Sequence, residues 1–145
     1  MSTRSRIGIT NQDGTIVSIY CHCDGYPSHV GHILKEYYNT PERIRDLIAL
    51  GDIDVLDKRL NPDFGYRHTG NARQKGVTLA GCRDCGQPES EVRPEWYTDR
   101  ANYKKAGAQE GEEWLYVFDG GFWYCYDVKE GRGWMPVEQA AMLER

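Results

Sequence analysis

Apolar and polar residues alternate over the first twenty positions. Ile7 and Ile9 stand between small or polar neighbours, and Thr15-Ile16-Val17-Ser18-Ile19-Tyr20 is rich in strand formers. Between them Asp13-Gly14 tolerates positive φ, so the pattern predicts an N-terminal hairpin. The period then changes. Val30, Ile33, Leu34 and Tyr37 fall at helical spacing after Ser28, a natural cap. Thr40 as cap, Pro41 at the first helical position, Glu42 at the positive end and Gly51 as terminator predict a second helix, with Ile44, Leu47 and Ile48 inward. Asp52 would cap a short third helix that buries Ile53, Leu56 and Leu60.

Residues 61–112 break this regularity. Asn61-Pro62, Gly65, Gly70, Gly76, Gly81 and Gly86 interrupt any long period, leaving one short strand at Val77–Ala80 and a turn of helix within 98–111. Alternation returns in the last third. Glu113–Phe118 and Phe122–Val128 flank Asp119-Gly120-Gly121, the strongest hairpin signal in the chain. Trp114, Tyr116 and Phe118 share one face and Leu115 and Val117 the other, so both faces are apolar and the pair should be covered on both sides. Pro136 opens a final helix carrying Val137, Ala140, Ala141 and Leu143. Together these elements predict one α+β domain over residues 1–145: an antiparallel sheet made from the N-terminal and C-terminal hairpins, packed against two or three helices.

Composition narrows the function classes. The chain has 145 residues, 39% hydrophobic and 28% charged, which excludes a disordered tail and supports a real core. Eighteen basic and twenty-two acidic residues give a net charge of −4, and no segment carries the basic footprint of non-specific nucleic-acid binding. No apolar run is long enough for a membrane span, and Ile7-Gly8-Ile9 gives way at once to polar residues, so neither membrane insertion nor secretion is expected. An odd set of five cysteines (21, 23, 82, 85 and 125) points the same way, to the cytoplasm rather than to a disulfide scaffold.

The cysteines also carry the best candidate chemistry. Cys82-Arg83-Asp84-Cys85-Gly86 has the two-residue gap and trailing glycine of a zinc knuckle, and Cys21-His22-Cys23 offers a second half. A structural Zn2+ held by Cys21, Cys23, Cys82 and Cys85 is therefore the metal expectation. Buried free thiols and a redox pair at 82–85 are the alternatives, and Cys125 reads as core. A catalytic arrangement would draw on Cys21 or Cys23 as nucleophile, His22 or His29 as base and Asp24 to orient it, acting on a nucleotide-like substrate. His29 and His32 form a further metal-type pair. Arg67, His68, Arg73 and Lys75 make a loosely basic loop without the glycine spacing of a phosphate-binding fingerprint.

The motifs Ser5-Arg6-Ile7-Gly8, Tyr20-Cys21-His22, Asp24-Gly25-Tyr26-Pro27 and Gly51-Asp52, with "NARQKGVTLAG" and the aromatic C-terminal hairpin, resemble a group of small phage and prophage proteins. No activity carries over from that group to these residues, and Cys23, Cys82 and Cys85 are not among its regular features. The resemblance implies an accessory protein, non-catalytic, that binds and modulates or inhibits a host protein such as a defence component, in the manner of an anti-CRISPR protein. Tyr26, Arg67 and Arg73 are the first contact residues such a role would use. A zinc-stabilised binding module lies between this reading and the enzyme.

Overall fold

The computed structural model describes residues 2–66 and 74–144. Both expected hairpins form. β1 (Ser5–Thr10) and β2 (Ile16–Cys21) pair antiparallel around the Asp13-Gly14 turn, where the Asp13 carboxylate accepts from the Thr15 N–H at 3.0 Å. Further along, β6 (Trp114–Asp119) and β7 (Phe122–Asp127) pair antiparallel around Gly120 and Gly121.

The joining of the hairpins departs from expectation. β1 lies beside β6 in parallel, Ile7 opposite Tyr116, and the end of β2 runs parallel to β3 (Ile53–Val55). β4 (Leu79–Ala80), β5 (Glu95–Tyr97) and β8 (Met135–Pro136) complete the sheet. Among the described residues it has eight strands in the order β4-β3-β2-β1-β6-β7-β8, with β5 alongside the first half of β2. The expected antiparallel sheet with two or three helices is thus corrected, among the described residues, to a mixed sheet with six α-helices. Parallel pairing of the first strand with the sixth depends on contacts between chain ends, which local alternation does not encode.

The helices divide between the two faces. Pro27 starts a π-helical turn (Pro27–Gly31) that runs into α1 (His32–Tyr37), and α2 spans Pro41–Ala49. With α6 (Val137–Leu143) they cover one face. There Val30, Leu34, Ile44, Leu47, Val137 and Ala140 pack on Ile7, Ile19, Cys21, Tyr116 and Cys125. At Gly31 the approach is so close that a Cβ would meet Val137 Cγ1 at 2.8 Å and the Tyr116 ring at 3.3 Å. The Thr40 side chain accepts from the Arg43 N–H at 3.3 Å, capping α2 as its sequence predicts. Thr40→Ala should lower stability by about 1 kcal/mol in thermal denaturation, since one orphan N–H loses its partner.

α5 (Arg100–Glu110) covers the other face; α3 (Gly81–Cys85) follows β4 directly and packs with α4 (Glu89–Val92), whose Val92 carbonyl accepts from the Asp52 N–H before β3. The Asp99 carboxylate caps α5 by accepting from the Asn102 N–H at 2.8 Å. Tyr103 packs on Leu115, Val117, Tyr126 and Trp134 and donates its hydroxyl to the Tyr116 carbonyl at 2.8 Å. Under α5 lies a buried ionic group. Arg6, 3% exposed, donates to Ser18 Oγ at 3.1 Å and Glu95 Oε1 at 3.3 Å, while its Nε lies 3.5 Å from Oε2 of Glu112, itself 3% exposed. Burial pushes the Glu112 carboxyl up to about 7 against the pull of the Arg6 charge.

The expected third helix is instead β3. Ile53, Leu56 and Leu60 are buried as foreseen. The Asp52 carboxylate, however, accepts from the Tyr20 N–H on β2 at 2.9 Å rather than capping a helix. Ile53 and Val55 are β-branched, and an open position beside β2 recruits them into the sheet.

Candidate functional site

β2 delivers the first candidate group. Alternation turns Val17, Ile19 and Cys21 toward the helices, and Cys21 is fully buried. Its Sγ donates to the Cys23 carbonyl at 3.6 Å, and burial pushes the thiol up to about 12. A thiol so held stays protonated at neutral pH and is no nucleophile. His22 points the other way, exposed, with Nδ1 3.0 Å from the Tyr20 hydroxyl. Cys23 is half-buried, 3.7 Å from Ser2 Oγ. Asp24 adopts φ 54, and the next residue is tied down twice: the Gly25 N–H donates to the Thr3 carbonyl at 2.8 Å and its carbonyl accepts from the Tyr116 hydroxyl at 2.6 Å.

Tyr26 follows, half-buried, its carbonyl accepting from the His29 and Val30 N–H groups and its ring tilted against His29 at 6.0 Å. Asp24 and Tyr26 therefore shape a turn. No hydrogen bond among the described residues joins Cys21 or Cys23 to His22 or His29, so the nucleophile–base pair of a Cys–His enzyme is not assembled.

The second cysteine pair folds as a helix rather than a knuckle. Cys82 and Cys85 lie on α3, which follows β4 without a break and ends at Gly86 with φ 77. Cys85 is exposed, and its Sγ donates to Asp54 Oδ2 at 3.4 Å. On the opposite side the Asp54 carbonyl accepts from the Cys23 N–H at 2.9 Å. β3 thus runs between the two cysteine pairs. Among the described residues no three His, Cys, Asp or Glu side chains form a group able to hold a metal ion. The Zn2+ site expected from Cys21, Cys23, Cys82 and Cys85 is corrected accordingly, because one ligand is sealed in the core and a strand separates the halves. Arg67, His68 and Arg73 lie outside the described residues.

A surface that the sequence did not single out lies at the end of the C-terminal hairpin. Phe122, the first residue after Gly121, is 66% exposed. It borders a groove of about 470 Å³ with Phe118, Trp123, Tyr124 and Pro136. The Trp123 indole is held from behind, its Nε1–H donating to the Tyr38 carbonyl at 2.8 Å, and Phe118 meets it edge-on at 5.3 Å. Lys35 and Glu138 close the rim as an ion pair of 3.6 Å. Alternation marked both faces of this hairpin as apolar. Its missing partner on β7 could not be foreseen: β8 pairs only with Tyr124 and Cys125, so the stretch at Phe122 is left uncovered.

The chain matches no family model, no curated protein and no solved structure. The expected phage, prophage and anti-CRISPR associations thus gain no support from any relative and are set aside, as is the association with zinc. No helix among the described residues is long and apolar enough to cross a membrane.

Proposed function

We propose that the chain is a non-catalytic accessory protein that binds and modulates another protein of the cell that makes it, in the cytoplasm, through the groove beside Phe122. The observation that carries this reading is the exposure of that ring at the end of a braced hairpin. An aromatic side chain left in water on a rigid support is poised to bury its area at little further entropic cost. The groove has the anatomy of a contact hot spot, an aromatic centre of Phe118, Trp123 and Tyr124 inside a charged rim of Lys35 and Glu138. A partner that presents an apolar side chain between polar neighbours would fit it.

The test is affinity capture from lysate of the native cell, comparing the wild type with Phe122→Ala and with Trp96→Ala, an equally exposed aromatic on β5. Phe122→Ala should lose a captured protein with an affinity drop of roughly 30-fold, about 2 kcal/mol, without lowering thermal stability. Trp96→Ala should retain it. Equal capture by the wild type and Phe122→Ala would move the contact elsewhere. Tyr26→Ala, Arg67→Ala and Arg73→Ala test the surfaces that the sequence singles out.

A further inference from the structure

Once a metal is set aside, the thiols of Cys82 and Cys85 have no role in the groove beside Phe122 or in the core. The segment opens α3 directly after β4, so its two cysteines stand at i and i+3 on one side of a helix. That spacing brings Cβ atoms to about 5–6 Å, and a disulfide needs them at about 3.5–4.5 Å. Closing the pair therefore requires a shift of about 1–2 Å within a helix of five residues that ends at the left-handed Gly86. Arg83 anchors the segment from behind, donating to the carbonyls of Leu60 at 2.9 Å and Thr78 at 2.8 Å and to Asn61 Oδ1 at 3.0 Å.

The two thiols differ in their surroundings. Cys82 is half-buried and lines a cavity of about 530 Å³ with Leu50, Glu89, Val92 and the exposed Arg93, enough room for a small disulfide and a cation for its carboxylate. Cys85 donates to Asp54 Oδ2 at 3.4 Å, from the strand next to its own β4. Burial first, and then the Asp54 and Asp84 carboxylates, hold the Cys85 thiol above its ordinary value. It therefore waits as a thiol with a base in contact.

We propose that Cys82 and Cys85 form a reversible dithiol–disulfide pair that exchanges with small disulfides of the oxidised glutathione class, with Asp54 as the base for the second step. Cys82 gives its proton to solvent, and its thiolate attacks one sulfur of the external disulfide. That S–S bond breaks, a mixed disulfide forms on Cys82, and the first thiolate departs and is protonated by water. Cys85 then gives its proton to Asp54, and its sulfur attacks Cys82 Sγ and expels the second thiolate. Two electrons pass from the protein dithiol to the external disulfide, which leaves as two thiols, and Asp54 returns its proton to solvent. Cys23, bound through its backbone to the far side of Asp54, takes no part.

The full chain is incubated with mixtures of oxidised and reduced glutathione, quenched by acid, alkylated and mapped by peptide mass spectrometry. The expected result is loss of two hydrogens on the peptide holding Cys82 and Cys85, reversed by dithiothreitol. Cys85→Ser should instead carry one glutathione on Cys82. Asp54→Asn should form the mixed disulfide at the wild-type rate and close it at least roughly tenfold more slowly. That first step is an internal control for folding. Absence of the 82–85 bond at every glutathione ratio, or pairing of Cys85 with Cys23, overturns the pair. Closure by Asp54→Asn at the wild-type rate overturns the role of Asp54.

Discussion

Arg6→Ala should cost the fold about 3–5 kcal/mol at pH 8 and distinctly less at pH 5. The Arg6 guanidinium lies under α5 with Ser18, Glu95 and Glu112 as its neighbours, and the Glu112 partner is 3% exposed. Removing the cation at pH 8 leaves a buried carboxylate with no counter-charge. At pH 5 Glu112 already holds its proton, because burial has moved it from an ordinary 4.5 to about 7. What remains to lose there is the bond to Ser18, the contact with Glu95 and the packing of the arginine stem.

The pH dependence has a definite sign. A carboxyl whose value is raised by folding adds stability that is fully present below its unfolded value. That stability is lost as pH rises through its folded value. In the wild type the contribution of Glu112 therefore fades between about pH 4.5 and 7, and Arg6→Ala, by removing the charge that holds that carboxyl down, extends the decline to higher pH. Urea unfolding of both proteins at the two pH values measures it. A cost independent of pH would show that the Arg6–Glu112 pair contributes nothing to stability.

Gly51→Ala should be nearly as damaging, about 2–4 kcal/mol, by two additive causes. Gly51 ends α2 with φ +79, where an L side chain is strained, and a Cβ there would overlap the carbonyl oxygen of Val92. That oxygen cannot retreat cheaply, because it accepts from the Asp52 N–H at 2.7 Å. Gly86 separates the causes. It has φ +77 but nothing within 4 Å of an added Cβ, so Gly86→Ala should cost only the backbone part, about 1–2 kcal/mol. Equal losses in denaturant titration would mean that the Val92 contact yields without cost.

The contrast between those glycines also marks how far the sequence could be read. Gly51 is legible as a helix terminator because Thr40, Pro41 and Glu42 begin a helix at the right distance before it. Its contact with Val92 is not legible, since the two are brought together only when Asp52 pairs across to that segment. The same division holds elsewhere. Asp13-Gly14 and Gly120-Gly121 announce their hairpins locally, and Ile53, Leu56 and Leu60 announce burial whether the backbone is helix or strand.

Nothing local tells β1 to lie parallel to β6, or β3 to separate Cys23 from Cys85. That intervening strand is why a plausible ligand spacing gives no metal group. Short glycine punctuation at 81 and 86 suits a knuckle loop and a brief helix equally, and Arg83, bonded to Leu60, Asn61, Thr78 and Asp84, decides for the helix. In the sequence Phe122 is only the first position of a strand. Its exposure follows from the shortness of β8, which sequence pattern does not set.

That shortness has its own consequence for how copies of this protein meet at high concentration. A broad sheet invites growth by strand addition when its outermost strands are long and unpaired along their length. Here the strands at the ends of the main path, β4 and β8, have two residues each, one of those in β8 is Pro136, which has no N–H to offer, and β5 beside β2 has three. An arriving strand would find too short a ladder to fix its register. The fold thus carries its own defence against fibre formation at these short strands, despite the density of β-formers in its central strands.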